Sequence, residues 1–128
     1  MRVLVIDDEA ALRQVIRRML ESAGHQVVEA QNGRTGLQTF QAAPFDAVVT
    51  DIIMPEQEGV ETIAEVRKVN KSVRIVAISG GGIKRLDVLG LARRLGADAT
   101  LPKPFRKEDL LACVEGRADG PAEPLPQR

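Results

Sequence analysis

The chain has 128 residues, 44% of them apolar and 28% charged, the size and make-up of one globular domain that closes its own core. Eighteen Lys and Arg balance eighteen Asp and Glu, which argues against nucleic acid as a direct partner, because phosphate binding needs an electropositive face. The single cysteine, Cys113, rules out an internal disulfide and fits a reducing, cytoplasmic setting; no apolar run nears the ~18 residues of a membrane span, and there is no Trp or Tyr to stack on bases or sugars.

The first segment, MRVLVIDDEA, holds an apolar stretch too short for a signal peptide and runs at once into acids. Val3 to Ile6 is a continuous apolar run, as expected of a strand buried on both faces. Leu12, Val15, Ile16, Met19 and Leu20 then recur at helical spacing as one apolar stripe, which Gly24 closes. Gln26 to Ala30 reads as a second strand and Asn32-Gly33 as a turn. Arg34 to Gln41 is a short helix carrying Leu37 and Phe40, broken at Pro44. Asp46 to Thr50 (DAVVT) is a third apolar strand.

Met54-Pro55 lies in a loop that closes at Gly59, and Val60, Ile63, Ala64 and Val66 mark a helix to about Val69. Val73 to Ile78 is a fourth strand. A glycine-rich, flexible loop follows it, from Ser79 to Gly82. In the next helix, Lys84 to Leu95, the residues Val88, Leu91, Ala92 and Leu95 form the core stripe, while Leu86 and Leu89 fall beside it. Gly96 ends this helix, Asp98 to Leu101 is a fifth short strand, and a last helix runs from Lys107 to Glu115. The sequence divides into a domain over residues 1–116 and a proline-rich tail, RADGPAEPLPQR, expected to be disordered.

Five strands alternating with five helices predict an α/β domain with a parallel sheet covered on both faces, doubly wound by right-handed crossovers. In such sheets the functional crevice lies outside the carboxyl ends of the strands. The chemically interesting residues sit there: Asp7 and Asp8 after the first strand, Asp51 after the third, Ser79 after the fourth and Lys103 after the fifth. Each also has a bland reading, as helix cap, turn former or solvated lysine. Adjacent carboxylates at the mouth of an apolar sheet repel each other, however, and a bound cation explains a second one better than a cap does. Pro102 and Pro104 fix the backbone on both sides of Lys103. The chemistry that joins the four strand ends is phosphoryl transfer to a carboxylate: an Asp nucleophile, an oxygen-ligand site of the type Mg²⁺ prefers, and a lysine and a hydroxyl to hold phosphoryl oxygens. Neither GxGxxG nor GxxxxGK[ST] occurs.

The stretches VLVIDDE, DAVVTDIIMPEQEG, VRIVAISGG and GADATLPKPF, in that order, resemble the receiver domains of bacterial two-component response regulators over about residues 1 to 115. The resemblance implies a flavodoxin-like (βα)5 sheet of strand order 2-1-3-4-5. It implies Asp51 as the phosphorylated residue, and Asp7, Asp8, Asp51 and the backbone carbonyl of Ile53 as the Mg²⁺ site. Ser79 is the hydroxyl that turns toward the phosphoryl group, Gly80 the small neighbour that leaves it room, and Lys103 the cation on its oxygens, joined to Pro104 by a cis peptide. The implied partners are a sensor histidine kinase or histidine phosphotransferase, an unknown downstream protein and, at weak affinity, a second copy of the chain, with neither nucleic acid nor membrane contacted directly. The chain reads as a stand-alone, chemotaxis-regulator-like receiver that signals by protein contact or onward phosphotransfer and is not an enzyme beyond its own phosphorylation and dephosphorylation.

Two departures stand out. Thr100 occupies the position, three residues before the lysine, where the family usually has Tyr or Phe, so switching is expected to work through the glycine loop after Ser79 instead. Gln57 stands where an apolar residue is frequent. Leu86 and Leu89 are read either as scattered surface leucines or as a partner-docking patch. Three other functions compete: a phosphatase with an aspartyl nucleophile, disfavoured because Ile53 stands where its general acid belongs; a flavin or nucleotide module, disfavoured by missing aromatic and glycine-rich loops; and a receiver-like scaffold that no longer depends on phosphorylation.

Overall fold

The computed structural model describes residues 1–52, 58–79 and 85–118, without the side chains of residues 58–59 and 85–89. Strands and helices alternate along the chain as β1 (Arg2–Ile6), α1 (Ala10–Glu21), β2 (Gln26–Ala30), α2 (Gly33–Ala42), β3 (Ala47–Asp51), α3 (Glu58–Val69), β4 (Arg74–Ser79), α4 (Arg85–Leu95), β5 (Ala99–Pro102) and α5 (Lys107–Val114). The five strands form one parallel sheet in the order β2-β1-β3-β4-β5. This is the doubly wound layout and the strand order expected. The order reverses between β1 and β3, which places the topological switch point, and hence the natural crevice, between the ends of those two strands.

Side-chain alternation along the strands feeds two apolar layers. Leu4, Ile6, Val48, Ile75 and Ala77 meet Phe40 of α2, Ile63 and Val66 of α3 and Ala92 of α4 on one face. Val3, Val5, Val49, Val76, Ile78 and Leu101 meet Ile16 and Leu20 of α1 and Leu110, Cys113 and Val114 of α5 on the other. Each fully buried Ile or Leu in these layers contributes about 1.5–3 kcal/mol. Phe40 and Phe45 stack at 6.2 Å within the first layer and Phe105 packs on the second, so the few aromatic rings serve the core. Cys113 is a buried thiol of the second layer.

Several expectations need correction. Asn32-Gly33 is not a free-standing turn: Asn32 is the N-cap of α2, its Oδ1 accepting the Thr35 N–H at 2.8 Å, and Gly33 is the first helical residue. In α1, Ile16 and Leu20 are buried and Leu12 and Met19 pack part-buried against the same layer, but Val15 is 42% exposed. In α4, Ala92 is buried and Leu95 packs on the core, but Leu91 is 38% exposed. A helix laid on a flat sheet buries one i, i+4 row, and the adjacent row reaches the edge of the contact.

β1 and β2 end where the apolar runs do, at Ile6 and Ala30, whereas β3, β4 and β5 each end one residue later than those runs suggest. Asp51 and Ser79 are the last residues of β3 and β4, and Asp46 precedes β3, where its Oδ2 accepts the Arg2 N–H at 2.7 Å. Gly96, at φ 124°, ends α4, and a Cβ there would lie 2.5 Å from Arg67 Cγ, so glycine is required twice over. At the far end of the sheet, Arg74 of β4 donates to the carbonyls of Cys113 and Ala118. The remaining tail, residues 119–128, lies outside the described residues, as do Gln57 and the glycine loop after Ser79.

Candidate functional site

Asp7 leaves β1 at the switch point. Its N–H donates to the Ala30 carbonyl at 3.1 Å, and its Oδ1 accepts the Glu9 N–H at 2.8 Å. The residue is 1% exposed, yet Oδ2 has no hydrogen-bond partner among the described residues. A buried carboxylate oxygen without a donor is costly. Burial pushes the Asp7 carboxyl up to about 6; the Glu9 N–H opposes this, the charge of Asp51 adds to it, and Lys103 and Asp8 act more weakly in opposite directions.

Across the switch point Asp51 ends β3, its side chain almost wholly buried. One oxygen of each of Asp7, Asp8 and Asp51 lies within 4.8 Å of the others, with Asp8 on the solvent side. Lys103 closes the other flank: its Nζ donates to Asp51 Oδ2 at 2.9 Å, and its backbone N–H donates to the Ser79 carbonyl at 2.7 Å. The Lys103-Pro104 peptide is cis, as the resemblance implied. Ser79 is fully buried at the end of β4 and pairs with Pro102 across the sheet.

The structure therefore brings Asp7, Asp8, Asp51 and Lys103 together, and sets Ser79 against the Lys103 backbone. Ile53, Gly80 and the side chains of Leu86 and Leu89 lie outside the described residues. The donor set is one oxygen from each of three carboxylates, and Asp7 among them carries a buried oxygen without a partner among the described residues, which suits a hard divalent cation with oxygen preference. The cluster could hold a metal ion, with Lys103 supplying a positive charge at Asp51 Oδ2.

Residues 3–115 match the family model described as response regulator receiver domain. The chain belongs to that family. Among its relatives, a response regulator MprA of Mycolicibacterium vanbaalenii is 39% identical over 111 residues, which cover 87% of this chain and 47% of the relative. The chain thus spans about half the length of the curated relatives it matches. A receiver domain protein from Clostridium thermocellum superposes with a TM-score of 0.83 at 32% identity, covering 90% of this chain and 91% of the other. A response regulator from Burkholderia pseudomallei, solved with a phosphorylated aspartic acid, a calcium ion and citrate, superposes with a TM-score of 0.80 at 28% identity over 88% of this chain and 65% of the other. The receiver is the phosphoryl-accepting module of two-component signalling, whose response regulators work with histidine kinases.

Two arginines of the receiver, one beside the acidic cluster and one on Thr100, were not singled out from the sequence. Arg13 of α1 donates Nη1 to the Asp7 carbonyl at 2.7 Å and Nε to Glu29 at 2.8 Å. Glu29 is the one charged residue of β2, between Val28 and Ala30, and an acid half-buried in such a strand calls for a cation; that was the available signal. Arg93 of α4 donates to the Thr100 Oγ1 at 3.2 Å, so the threonine that replaces the usual aromatic is tied by a side-chain hydrogen bond to α4.

Proposed function

We propose that this receiver takes a phosphoryl group from a phosphohistidine onto Asp51, with Mg²⁺ held by Asp7, Asp8 and Asp51 and by the Ile53 carbonyl. A carboxylate oxygen of Asp51 attacks phosphorus in line, forming the O–P bond as the N–P bond to the donor imidazole breaks and its electron pair returns to the ring nitrogen. Mg²⁺ supplies charge compensation between the phosphoryl oxygens and the carboxylates. Lys103 shifts its ammonium from Asp51 to a phosphoryl oxygen, and the Ser79 hydroxyl donates to another. Water attack on phosphorus later releases phosphate and restores Asp51. The observation that supports this most directly is the meeting of three carboxylates, one with an orphaned buried oxygen, beside a lysine 2.9 Å from Asp51.

Incubation with acetyl phosphate and Mg²⁺ should add one phosphoryl group to the intact mass. Asp51→Asn should abolish the addition, and Lys103→Ala should slow it at least about tenfold, a loss of about 1.4 kcal/mol of transition-state stabilisation. An unmodified wild type, or an Asp51→Asn protein that gains the same mass, would refute the assignment. The output is contact with a further protein or onward transfer of the phosphoryl group, with Leu86 and Leu89 as the proposed contact residues on α4.

A further inference from the structure

We propose that Arg13 is a positioning residue for the cation pocket, an inference that rests on the metal role proposed for Asp7 and Asp8. The chain past Ile6 must turn out of the sheet while presenting two adjacent carboxylates in fixed directions. Asp7 is held at three points: its N–H by the Ala30 carbonyl, its Oδ1 by the Glu9 N–H, and its carbonyl by Arg13 Nη1 at 2.7 Å. That carbonyl belongs to the peptide joining Asp7 to Asp8. Fixing its direction fixes the plane from which the Asp8 side chain departs and leaves the orphaned Asp7 Oδ2 as the group aimed at a cation.

The arginine is itself immobilised. Its Nε donates to Glu29 Oε1 at 2.8 Å, and the other Glu29 oxygen accepts from Arg17 Nη1 at 2.9 Å. These two arginines, Arg17 first, hold the Glu29 carboxyl below the usual range. A planar guanidinium can serve Glu29 along one edge and the carbonyl along another, which a lysine ammonium cannot do with the same geometry. Because Glu29 matches its charge, Arg13 supplies a rigid donor beside the pocket with little net repulsion toward a cation.

Two readings of Arg13 give opposite signs, which makes the inference testable. If only its charge matters, removing it should tighten cation binding; if it merely ties α1 to β2, Arg17 should matter equally. Mg²⁺ affinity by titration calorimetry, paired with urea unfolding, separates them. Arg13→Ala should weaken Mg²⁺ binding at least about tenfold, the scale of an outer-shell ligand partner, whereas Arg17→Ala should change it less than about twofold. Arg13→Lys and Glu29→Gln, which keep the fold more securely, should fall between. In acetyl phosphate reactions Arg13→Ala should raise the Mg²⁺ concentration at half-maximal rate and leave the rate at saturating Mg²⁺ unchanged. Unchanged or tighter Mg²⁺ binding in Arg13→Ala, or equal losses in Arg13→Ala and Arg17→Ala, would overturn the positioning role while leaving the metal site intact. A wild type that binds no Mg²⁺ would overturn both.

Discussion

Asp7 is the residue at which fold and chemistry pull against each other. Its carboxyl is held near pH 6 against an ordinary 3.8, chiefly by burial. Between those values the folded protein keeps a proton that the unfolded chain has lost. The stability of the metal-free protein therefore falls as pH rises from about 4 to about 6, where the carboxylate ionises, and this group then adds no further slope. The shift from 3.8 to about 6 places the cost of the ionised group at about 3 kcal/mol at neutral pH. Asp7→Asn should remove that slope and raise the unfolding free energy of the metal-free protein at pH 7 by up to about 3 kcal/mol, while abolishing Mg²⁺ binding. In the wild type, Mg²⁺ affinity should climb about tenfold per pH unit below pH 6 and level off above it. Parallel stability profiles for wild type and Asp7→Asn from pH 4 to 7 would show that the acid is not strained. The acids and the lysine were legible in the sequence because their position at strand ends is a property of order along the chain. The orphaned oxygen, and the Arg93 hydrogen bond that meets Thr100, were not, because both depend on which neighbour happens to face a side chain in space.

Among the elements, α3 and the segments flanking β4 and β5 are joined by one side chain. Arg67 donates to the carbonyls of Gly96 and Val73 at 3.0 and 2.7 Å and to Asp98 at 2.6 Å, and Asp98 also accepts the Ile75 N–H at 2.8 Å. This arginine gathers the end of α4, the start of β4 and the start of β5, so it sets where two functional strands begin. Its loss leaves carbonyls and a carboxylate without their charged donor, and hydrogen bonds to charged groups are worth about 1.5–3 kcal/mol. Arg67→Ala should lower the urea unfolding free energy by that amount, and Arg67→Lys by less. A change under about 0.5 kcal/mol would mark the contacts as incidental. Apolar runs and glycines located all ten elements, because a strand buried on both faces and a helix stopped at a glycine leave local traces. What periodicity could not resolve was rotation within a stripe. Val15 and Leu91 obey helical spacing as well as Ile16 and Ala92, and only the width of the facing layer decides which row is covered.

For the whole molecule, the exposure of Val15 has a consequence. With Leu12 and Met19 of α1 it lines a groove of about 280 Å³, closed by Lys103, Pro104 and Phe105. Lys103 thus has one side in this apolar groove and its Nζ on Asp51. A protein seated there would stand beside Asp51, the proposed acceptor. Since positive and negative residues cancel over the chain, long-range attraction between net charges adds little to its approach, and local apolar contact must carry the encounter. A small donor such as acetyl phosphate needs no such seat. Val15→Asp should therefore slow transfer from a histidine-phosphorylated donor protein about tenfold, a loss of about 1.4 kcal/mol, with the acetyl phosphate reaction and the unfolding midpoint unaltered. Leu91→Asp, at a comparably exposed leucine on the opposite layer, should leave donor transfer as it was. Equal slowing by both substitutions, or slowing of the acetyl phosphate reaction by Val15→Asp, would mean that the groove acts through the fold and not as the donor's landing site.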